Sequence, residues 1–192
     1  MLHGLGSNGN DLIGLSRALA DDLPNTAFYA PDAPDPFEGG PTGFQWYSRS
    51  SPEARIAGVR QVAPLVDAFV DDLLEKHELA PSRCILLGFS QGCIVSLHTA
   101  PRRQRPLAGV VGFSGAMVTG ETLADELANR TPILLVHGAD DTVLPSERTE
   151  EARQVLSSLD VPNEVHILPG LPHSIDQRGV QLAADFMRRQ FA

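Results

Sequence analysis

The chain alternates short apolar runs with longer segments in which apolar residues recur every three or four positions. The first pattern is typical of buried strands, and the second is typical of helices that pack on a sheet. The predicted strands are 84–88, 108–113, 132–137 and 164–168. The predicted helices between and after them are 91–100, 121–128, 146–159 and 176–190. This alternation indicates an α/β fold in which helices cover both faces of a mostly parallel sheet. Since neither repeats nor a linker interrupt it, we expect one domain over residues 1–192.

The amino-terminal part of the chain is less regular. We predict an amphipathic helix over residues 10–22 and a short strand over Thr26–Tyr29. Residues 31–50 contain many Pro and Gly and are predicted to be irregular. The segment Ser51–Glu53 combines a capping serine, a proline at the first helical position and an acid in the first turn, which together predict the start of a long helix. Pro64 lies inside that helical pattern and should kink the helix or mark its true start.

The segment Gly88-Phe89-Ser90-Gln91-Gly92 joins a predicted strand to a predicted helix. A strand, a sharp turn and a helix form the context of a G-x-S-x-G nucleophile elbow, in which the serine is strained and its Oγ is exposed. The flanking glycines are needed because the two backbones approach too closely for side chains. Ser90 is therefore a candidate nucleophile. The alternative is that Ser90 simply caps the helix, since serine is favoured at that position.

A serine hydroxyl becomes nucleophilic when a base takes its proton and a third group orients that base. Candidates for both roles lie beyond the carboxyl ends of later predicted strands, where parallel α/β sheets bind ligands. Asp140 and Asp141 follow the third strand, and His173 follows the fourth. The chain order of serine, acid and histidine is the order expected of α/β-hydrolases. Asp140 competes with Asp141 as the acid, and His137 competes with His173, although its position at a strand end favours a structural role.

The chain resembles the phospholipase/carboxylesterase family, which includes acyl-protein thioesterases and small bacterial carboxylesterases. The matching segments are Leu2-His3-Gly4-Leu5-Gly6 with Gly9, Pro31-Asp32-Ala33-Pro34, Trp46, the elbow, His137-Gly138 with Asp141 and Pro145, and Gly170 with His173-Ser174. The resemblance implies an α/β-hydrolase that cleaves carboxylic esters, thioesters or lysophospholipids through an acyl-enzyme. It also implies a triad of Ser90, His173 and Asp141. The backbone N–H groups of Leu5 and Gln91 are implied to form the oxyanion hole.

The irregular stretch 31–50 carries four aromatic residues, Phe37, Phe44, Trp46 and Tyr47. Loops on a rigid scaffold commonly bind ligands, so we predict that Phe44 and Trp46 contact the substrate. The alternative is that these aromatic side chains only pin the loop to the core. Because no separate cap domain fits between the predicted strands, we expect an open, shallow site that accepts a range of esters or thioesters.

The charge, the apolar runs and the cysteines limit which binding partners and which cellular location we expect. A net charge of −9 disfavours nucleic acid and anionic membranes as main partners. No apolar run reaches the roughly 18 residues of a membrane span, and the first residues do not resemble a signal peptide. Cys84 and Cys93 are predicted to lie too far apart for a disulfide, as buried thiols in a reducing cytoplasm. No histidine pair has ligand spacing, so we expect no metal site. We also expect no cofactor, and the resemblance implies a small-molecule ester or thioester as substrate.

Two other functions compete with this interpretation. A dienelactone hydrolase-like enzyme would carry a cysteine at the elbow, where this chain has Ser90. A non-catalytic or impaired binding protein on the same fold stays open, because members of the family have an apolar strand before Leu-His-Gly and only Met1 and Leu2 of it are present here. We therefore expect a truncated first strand and a natural protein that starts upstream, with Met1 as a misassigned start or a cloning boundary. The alternative is that a homodimer or repacking compensates for the missing strand.

Overall fold

The computed structural model describes all 192 residues. Two strands of two residues each, β1 (Asp35–Pro36) and β2 (Phe44–Gln45), pair in antiparallel fashion within the irregular segment. The central sheet contains four parallel strands, hydrogen-bonded in chain order: β3 (Ile85–Phe89), β4 (Gly109–Phe113), β5 (Ile133–Gly138) and β6 (Asn163–Leu168). Each of the four overlaps a strand predicted from an apolar run, and the predicted parallel sheet is confirmed.

Helices connect the strands and cover the sheet. The α-helices are α1 (Gly9–Leu12), α2 (Ser16–Leu19), α3 (Pro52–Lys76), α4 (Gln91–Thr99), α5 (Leu123–Glu126), α6 (Glu147–Ser158) and α7 (Gln177–Phe191). Short 3₁₀ helices occupy Ile13–Leu15, Pro81–Arg83, Ala100–Arg102 and Gly120–Thr122. A single helix over 10–22 was too simple a prediction, because a 3₁₀ turn separates α1 from α2. None of these helices has the length and apolar character needed to cross a membrane.

Two hydrophobic cores lie on opposite faces of the sheet. Successive residues of a strand point to opposite faces, so each strand contributes to both cores. The core that packs against α3, α4 and α6 contains the strand residues Leu86, Val110, Ile133 and Leu135. The core that packs against α7 and the first helices contains their neighbours Leu87, Val111, Leu134 and Val136. This burial on both faces explains why β3, β4 and β5 appear in the sequence as apolar runs, whereas the edge strand β6 is partly exposed and mixes polar with apolar residues.

The structure corrects two local predictions before the sheet. Thr26–Tyr29 forms no strand, because a strand requires a partner backbone and this segment pairs with none. The amino group of Met1 instead donates a hydrogen bond to the Tyr29 carbonyl over 2.6 Å. Helix α3 begins as predicted, with the Ser51 side chain accepting the N–H of Ala54 at 3.1 Å. It continues through Pro64, which therefore does not mark its start.

The outer edge of β3 is paired at one position near the amino terminus. Leu2 forms an isolated parallel bridge with Gly88. The N–H of Leu2 donates to the Leu87 carbonyl over 2.7 Å, and the N–H of Phe89 donates to the Leu2 carbonyl over 3.0 Å. Because Leu2 is fixed there and is fully buried, the loop that follows it lies beside the turn at Ser90.

The start of α4 lies against this bridge so closely that only glycine fits. A Cβ atom added to Gly92 would lie 2.0 Å from the Leu2 carbonyl oxygen, whereas one added to Gly14 would meet nothing within 4 Å. We expect Gly92→Ala to lower the free energy of unfolding by about 3 kcal/mol or more, because neither backbone can move without breaking the bridge. Urea denaturation measures the change, with Gly14→Ala as the control. Equal denaturation midpoints for the two variants would contradict this account.

Candidate active site

Ser90, Asp141 and His173 meet at the carboxyl edge of the sheet. Ser90 directly follows β3, Asp141 lies in the turn after β5, and His173 lies in the loop after β6. The Nε2 atom of His173 is 3.0 Å from Ser90 Oγ, and its Nδ1 atom is 2.6 Å from Asp141 Oδ2. The fold thus joins three side chains that are 83 and 32 positions apart in the chain into one line of hydrogen bonds.

The backbone of Ser90 has the strained geometry of a sharp turn. Its φ of 51° and ψ of −113° lie in a region that residues with side chains rarely adopt. The flanking glycines allow the turn, since a Cβ atom on Gly88 would lie 2.4 Å from the Gly92 carbonyl oxygen. The Ser90 side chain makes no capping hydrogen bond to α4. A helix cap therefore does not account for this serine, whose Oγ lies within hydrogen-bonding distance of His173.

The carboxylate of Asp141 is held by four contacts. Its Oδ1 atom accepts the N–H groups of Val143 at 2.9 Å and Leu144 at 2.8 Å. Its Oδ2 atom faces His173 Nδ1 and also His137 Nε2, the latter at 3.0 Å. Burial by itself would raise the pKa of Asp141, but the hydrogen bonds from Leu144, His173 and Val143 outweigh it and hold the pKa below its usual range. The group is therefore an ionised acceptor at neutral pH.

The neighbouring Asp140 is exposed and its side chain takes no part in this arrangement. Its backbone N–H donates to the Leu171 carbonyl over 3.0 Å, and the N–H of Ala139 donates to the Leu168 carbonyl over 2.9 Å. These bonds tie the turn after β5 to the loop that carries His173. The geometry thus separates the two candidate acids, since only Asp141 contacts His173.

The contacts of His173 fix its tautomer. An ionised carboxylate can only accept, so the nitrogen that faces Asp141 carries the hydrogen. The other nitrogen, Nε2, is then free to accept the hydrogen of the Ser90 hydroxyl. The ring packs beside Phe89 with 5.0 Å between ring centroids and is only partly exposed. This is the arrangement that a general base needs: oriented on one side, and in contact with the nucleophile on the other.

Two backbone N–H groups lie near Ser90 without an acceptor in the protein. The N–H of Leu5 makes no hydrogen bond, although the adjacent N–H of Gly6 donates to the Phe44 carbonyl over 2.9 Å. The N–H of Gln91 belongs to the first residue of α4 and has no acceptor within that helix. The loop approaches Ser90 closely, because a Cβ atom on Gly4 would lie 3.4 Å from Ser90 Cβ. Both unsatisfied donors are available to a negatively charged oxygen.

Buried polar side chains hold the loop that carries Leu5. His3 accepts the N–H of Ala33 on Nε2 at 3.0 Å, which places its hydrogen on Nδ1, 2.7 Å from the Gly4 carbonyl. Burial lowers the pKa of His3, which favours this neutral form. The indole N–H of Trp46 donates to the His3 carbonyl over 2.9 Å. The Gln91 side chain accepts the N–H of Trp46 at 2.8 Å and so links the loop to α4.

The positions of Trp46 and Phe44 favour the alternative that they pin the loop to the core. Trp46 is 4% exposed and belongs to the hydrophobic core. Phe44 packs against the same core, and its backbone pairs with Ser7 through an isolated bridge. Neither residue lines the cleft above Ser90. Substrate contact by these two residues stays a prediction, and their packing supports the pinning alternative.

A Trp46→Phe variant tests the pinning role, because it removes the indole N–H and keeps an aromatic ring. We expect kcat for a short acyl ester to fall about 10-fold or more at nearly constant KM, since a loosened loop displaces the Leu5 donor. Steady-state kinetics with esters of increasing acyl length measures both constants. Tyr47→Phe, which changes the adjacent buried aromatic residue, serves as the control. If Trp46→Phe instead raised KM relative to the wild type, by more for longer acyl groups, and left kcat constant, direct substrate contact would be indicated.

An open cleft of about 360 Å³ lies above Ser90 and His173. Its apolar wall contains Leu5, Leu12, Phe89 and Val143, and its polar rim contains Ser7, Asp11 and Arg49. Ser7 Oγ donates to Asp11 over 2.9 Å. Arg49 is exposed and forms no ion pair. The cleft combines an apolar surface for a hydrocarbon group with one free cation at its edge.

The fold and the strand, turn and helix around Ser90 define a hydrolytic enzyme with an α/β-hydrolase fold. A family model described as phospholipase/carboxylesterase matches residues 1–190. The chain therefore belongs to the phospholipase/carboxylesterase family, and the predicted family, fold and enzyme class are confirmed. A dienelactone hydrolase-like enzyme is not supported by this match.

Relatives and solved structures agree with the family. Esterase YpfH of Escherichia coli is 26% identical over 98% of this chain and 80% of its own length. An acyl-protein thioesterase 1 of Debaryomyces hansenii is 28% identical over 97% of this chain and 88% of its own length. The crystal structure of esterase PE8 matches with a TM-score of 0.93 and 40% identity, over 98% of this chain and 89% of that one. Relatives named as esterases and thioesterases support a hydrolase that acts on ester or thioester bonds.

Two contacts of the site were not predicted from the sequence. The side chain of Gln91 was not predicted to bind the Trp46 loop, because no local pattern links residues 45 positions apart. His137 was assigned a structural role at the end of β5, without its contact to Asp141. The spacing of four residues between His137 and Asp141, with the turn that directly follows the strand, was the signal that could have indicated it.

Proposed function

We propose that this protein hydrolyses carboxylic esters or thioesters through a triad of Ser90, His173 and Asp141 and a covalent acyl-enzyme. The observation that carries the proposal is the continuous line of contacts from Asp141 Oδ2 to His173, at 2.6 Å, and from His173 to Ser90 Oγ, at 3.0 Å. Family membership supports the reaction class, and the contacts support the proposed roles of the three residues.

In the first half of the reaction, His173 Nε2 takes the Ser90 proton as Oγ attacks the acyl carbon. Asp141 keeps the hydrogen on Nδ1 and stabilises the imidazolium that forms. When the tetrahedral intermediate collapses, the carbon bond to the leaving oxygen or sulfur breaks, and His173 donates its proton to that atom. The alcohol or thiol leaves, and Ser90 retains the acyl group as an ester.

In the second half, water attacks the acyl-enzyme. His173 accepts a proton from the water and returns it to Ser90 Oγ as the acid departs. In both halves the oxyanion accepts hydrogen bonds from the N–H groups of Leu5 and Gln91, and the amino-terminal end of α4 adds a favourable dipole. These residues carry out every proton transfer, so the scheme requires no cofactor.

The cleft favours an acyl group of modest size. An open volume of about 360 Å³ next to Leu12, Phe89 and Val143 accommodates a short or medium hydrocarbon chain and leaves the leaving group in solvent. We therefore propose that the enzyme tolerates different alcohols and thiols in the leaving group. A lysophospholipid is the substrate that would test the upper limit of the acyl chain.

The proposal is tested with a fluorophosphonate probe and a pair of substrates. Such a probe reacts with activated serine hydroxyls, and peptide mapping then identifies the modified residue. We expect one probe per chain, attached to Ser90. A butanoyl ester and a butanoyl thioester, which share the acyl group, compare the two bond types under identical conditions. A folded protein that neither reacts with the probe nor cleaves either substrate would instead be a non-catalytic binding protein.

A further inference from the structure

His137 is a fully buried histidine at the end of β5 that touches the acid of the proposed triad. The exposed fraction of its side chain is 0%. Its Nε2 atom lies 3.0 Å from Asp141 Oδ2 and 2.8 Å from the Leu144 carbonyl oxygen. Its Nδ1 atom lies 2.6 Å from Thr149 Oγ1 on α6. The ring therefore bridges the helix and both ends of the turn from Asp141 to Leu144.

The partners of Nε2 determine where the ring carries its hydrogen. The carbonyl of Leu144 can only accept, and the ionised carboxylate of Asp141 can only accept as well. Nε2 must therefore be protonated and donate to both. The Thr149 hydroxyl can give its one hydrogen either to Nδ1, 2.6 Å away, or to the Gly115 carbonyl, 3.2 Å away, so it accommodates a ring whose Nε2 carries the hydrogen. His137 is thus a donor to the same oxygen, Oδ2, that receives the hydrogen bond from His173.

These contacts hold both oxygens of the Asp141 carboxylate. The N–H groups of Val143 and Leu144 hold Oδ1, and the two imidazoles hold Oδ2 from different directions. Since the same histidine also holds the Leu144 carbonyl, it fixes the shape of the turn as well as the position of the acid. Loss of this donor would let Oδ2 move relative to His173 while the two backbone bonds to Oδ1 remained.

We propose that His137 is a positioning residue, which acts through Asp141 to hold His173 in line with Ser90. The inference rests on the proposed triad, because it assigns His137 a role in that reaction. His137 does not line the cleft, so its effect is on the rate of the chemical step and not on substrate binding. Placement of an orienting group to within a fraction of an ångström is what preorganised sites require.

Two variants of similar size separate positioning from general stabilisation of the core. The amide nitrogen of His137→Gln reaches about as far as Nε2 and can still donate to Asp141, whereas the shorter amide of His137→Asn reaches only the Thr149 side. We expect His137→Asn to lower kcat about 10- to 100-fold, an effect typical of an outer hydrogen-bond partner, with KM unchanged. His137→Gln should recover most of the activity. Equal kcat for wild type and His137→Asn would overturn the proposal, as would equal losses for both variants.

A double-mutant cycle shows whether His137 acts through Asp141. If it does, adding His137→Asn to Asp141→Asn should cost little further activity, whereas independent effects would multiply and contradict the proposal. Nitrogen-15 NMR of the wild-type imidazoles provides a test that needs no variant to fold, since an Nε2 of His137 without hydrogen would also overturn it. Fluorophosphonate labelling of the wild-type protein in the same experiments reports on the triad itself. An unlabelled wild type would refute the proposed function, and a labelled one with an unaffected His137→Asn would refute only this inference.

Discussion

A Ser90→Ala variant is expected to lose fluorophosphonate labelling completely and to lower kcat for a simple ester by about 10⁵-fold or more. The residues of a triad act as a unit, so removing the nucleophile removes nearly all of the rate that the unit supplies. The fold should be retained, because the Ser90 hydroxyl caps no helix and its backbone geometry is set by the flanking glycines. Mass spectrometry of the labelled chain and initial rates measure the two effects.

The matched control is Ser7→Ala, which removes another serine hydroxyl from the same cleft. Ser7 Oγ bonds Asp11 and has no contact with a histidine, so labelling and kcat should stay near those of the wild type. Labelling that survives in Ser90→Ala would show that another residue reacts with the probe. Turnover that survives together with the labelling would refute the proposed mechanism.

An Asp141→Asn variant is expected to lower kcat by about 10⁴-fold. The two N–H groups of Val143 and Leu144 would outweigh the single donor of His137 and select the amide oxygen for the Oδ1 position, so the amide nitrogen would face His173. That nitrogen donates, and it would force His173 to accept on Nδ1 and carry its hydrogen on Nε2. An Nε2 that carries a hydrogen cannot take the proton of Ser90, which is why so small a change has so large an effect.

Asp140→Asn is the control for this substitution, since it makes the same chemical change one residue away. Asp140 is exposed and only its backbone contacts the His173 loop, so we expect kcat within about twofold of the wild type. Circular dichroism and urea denaturation establish that both variants are folded. If Asp140→Asn were the slower variant, the assignment of the acid in this turn would be wrong.

The sequence by itself was sufficient where the determining interactions are local or periodic. Apolar runs predicted β3, β4 and β5, which are buried on both faces because two helical layers leave no polar face there, whereas the edge strand β6 is partly exposed. The elbow was recognisable because the backbones at Gly88 and Gly92 approach too closely for any side chain. This local constraint requires glycine at two positions that flank Ser90 in the sequence. Ser90, the acid and His173 could be expected to lie near each other because each follows a strand, and all parallel strands end at one edge.

Only the tertiary structure decided which side chains meet. Asp140 and Asp141 are equivalent by position after their strand, and their contacts differ because the turn aims one carboxylate at His173 and leaves the other in solvent. Trp46 suits a pocket and a core equally well by composition, and its burial follows from a partner carbonyl at His3, 43 positions away. The contact of His137 with Asp141 likewise depends on the turn closing back over its strand. Periodicity records which face of an element is buried, whereas the direction of a side chain in a loop depends on atoms that the local sequence does not specify.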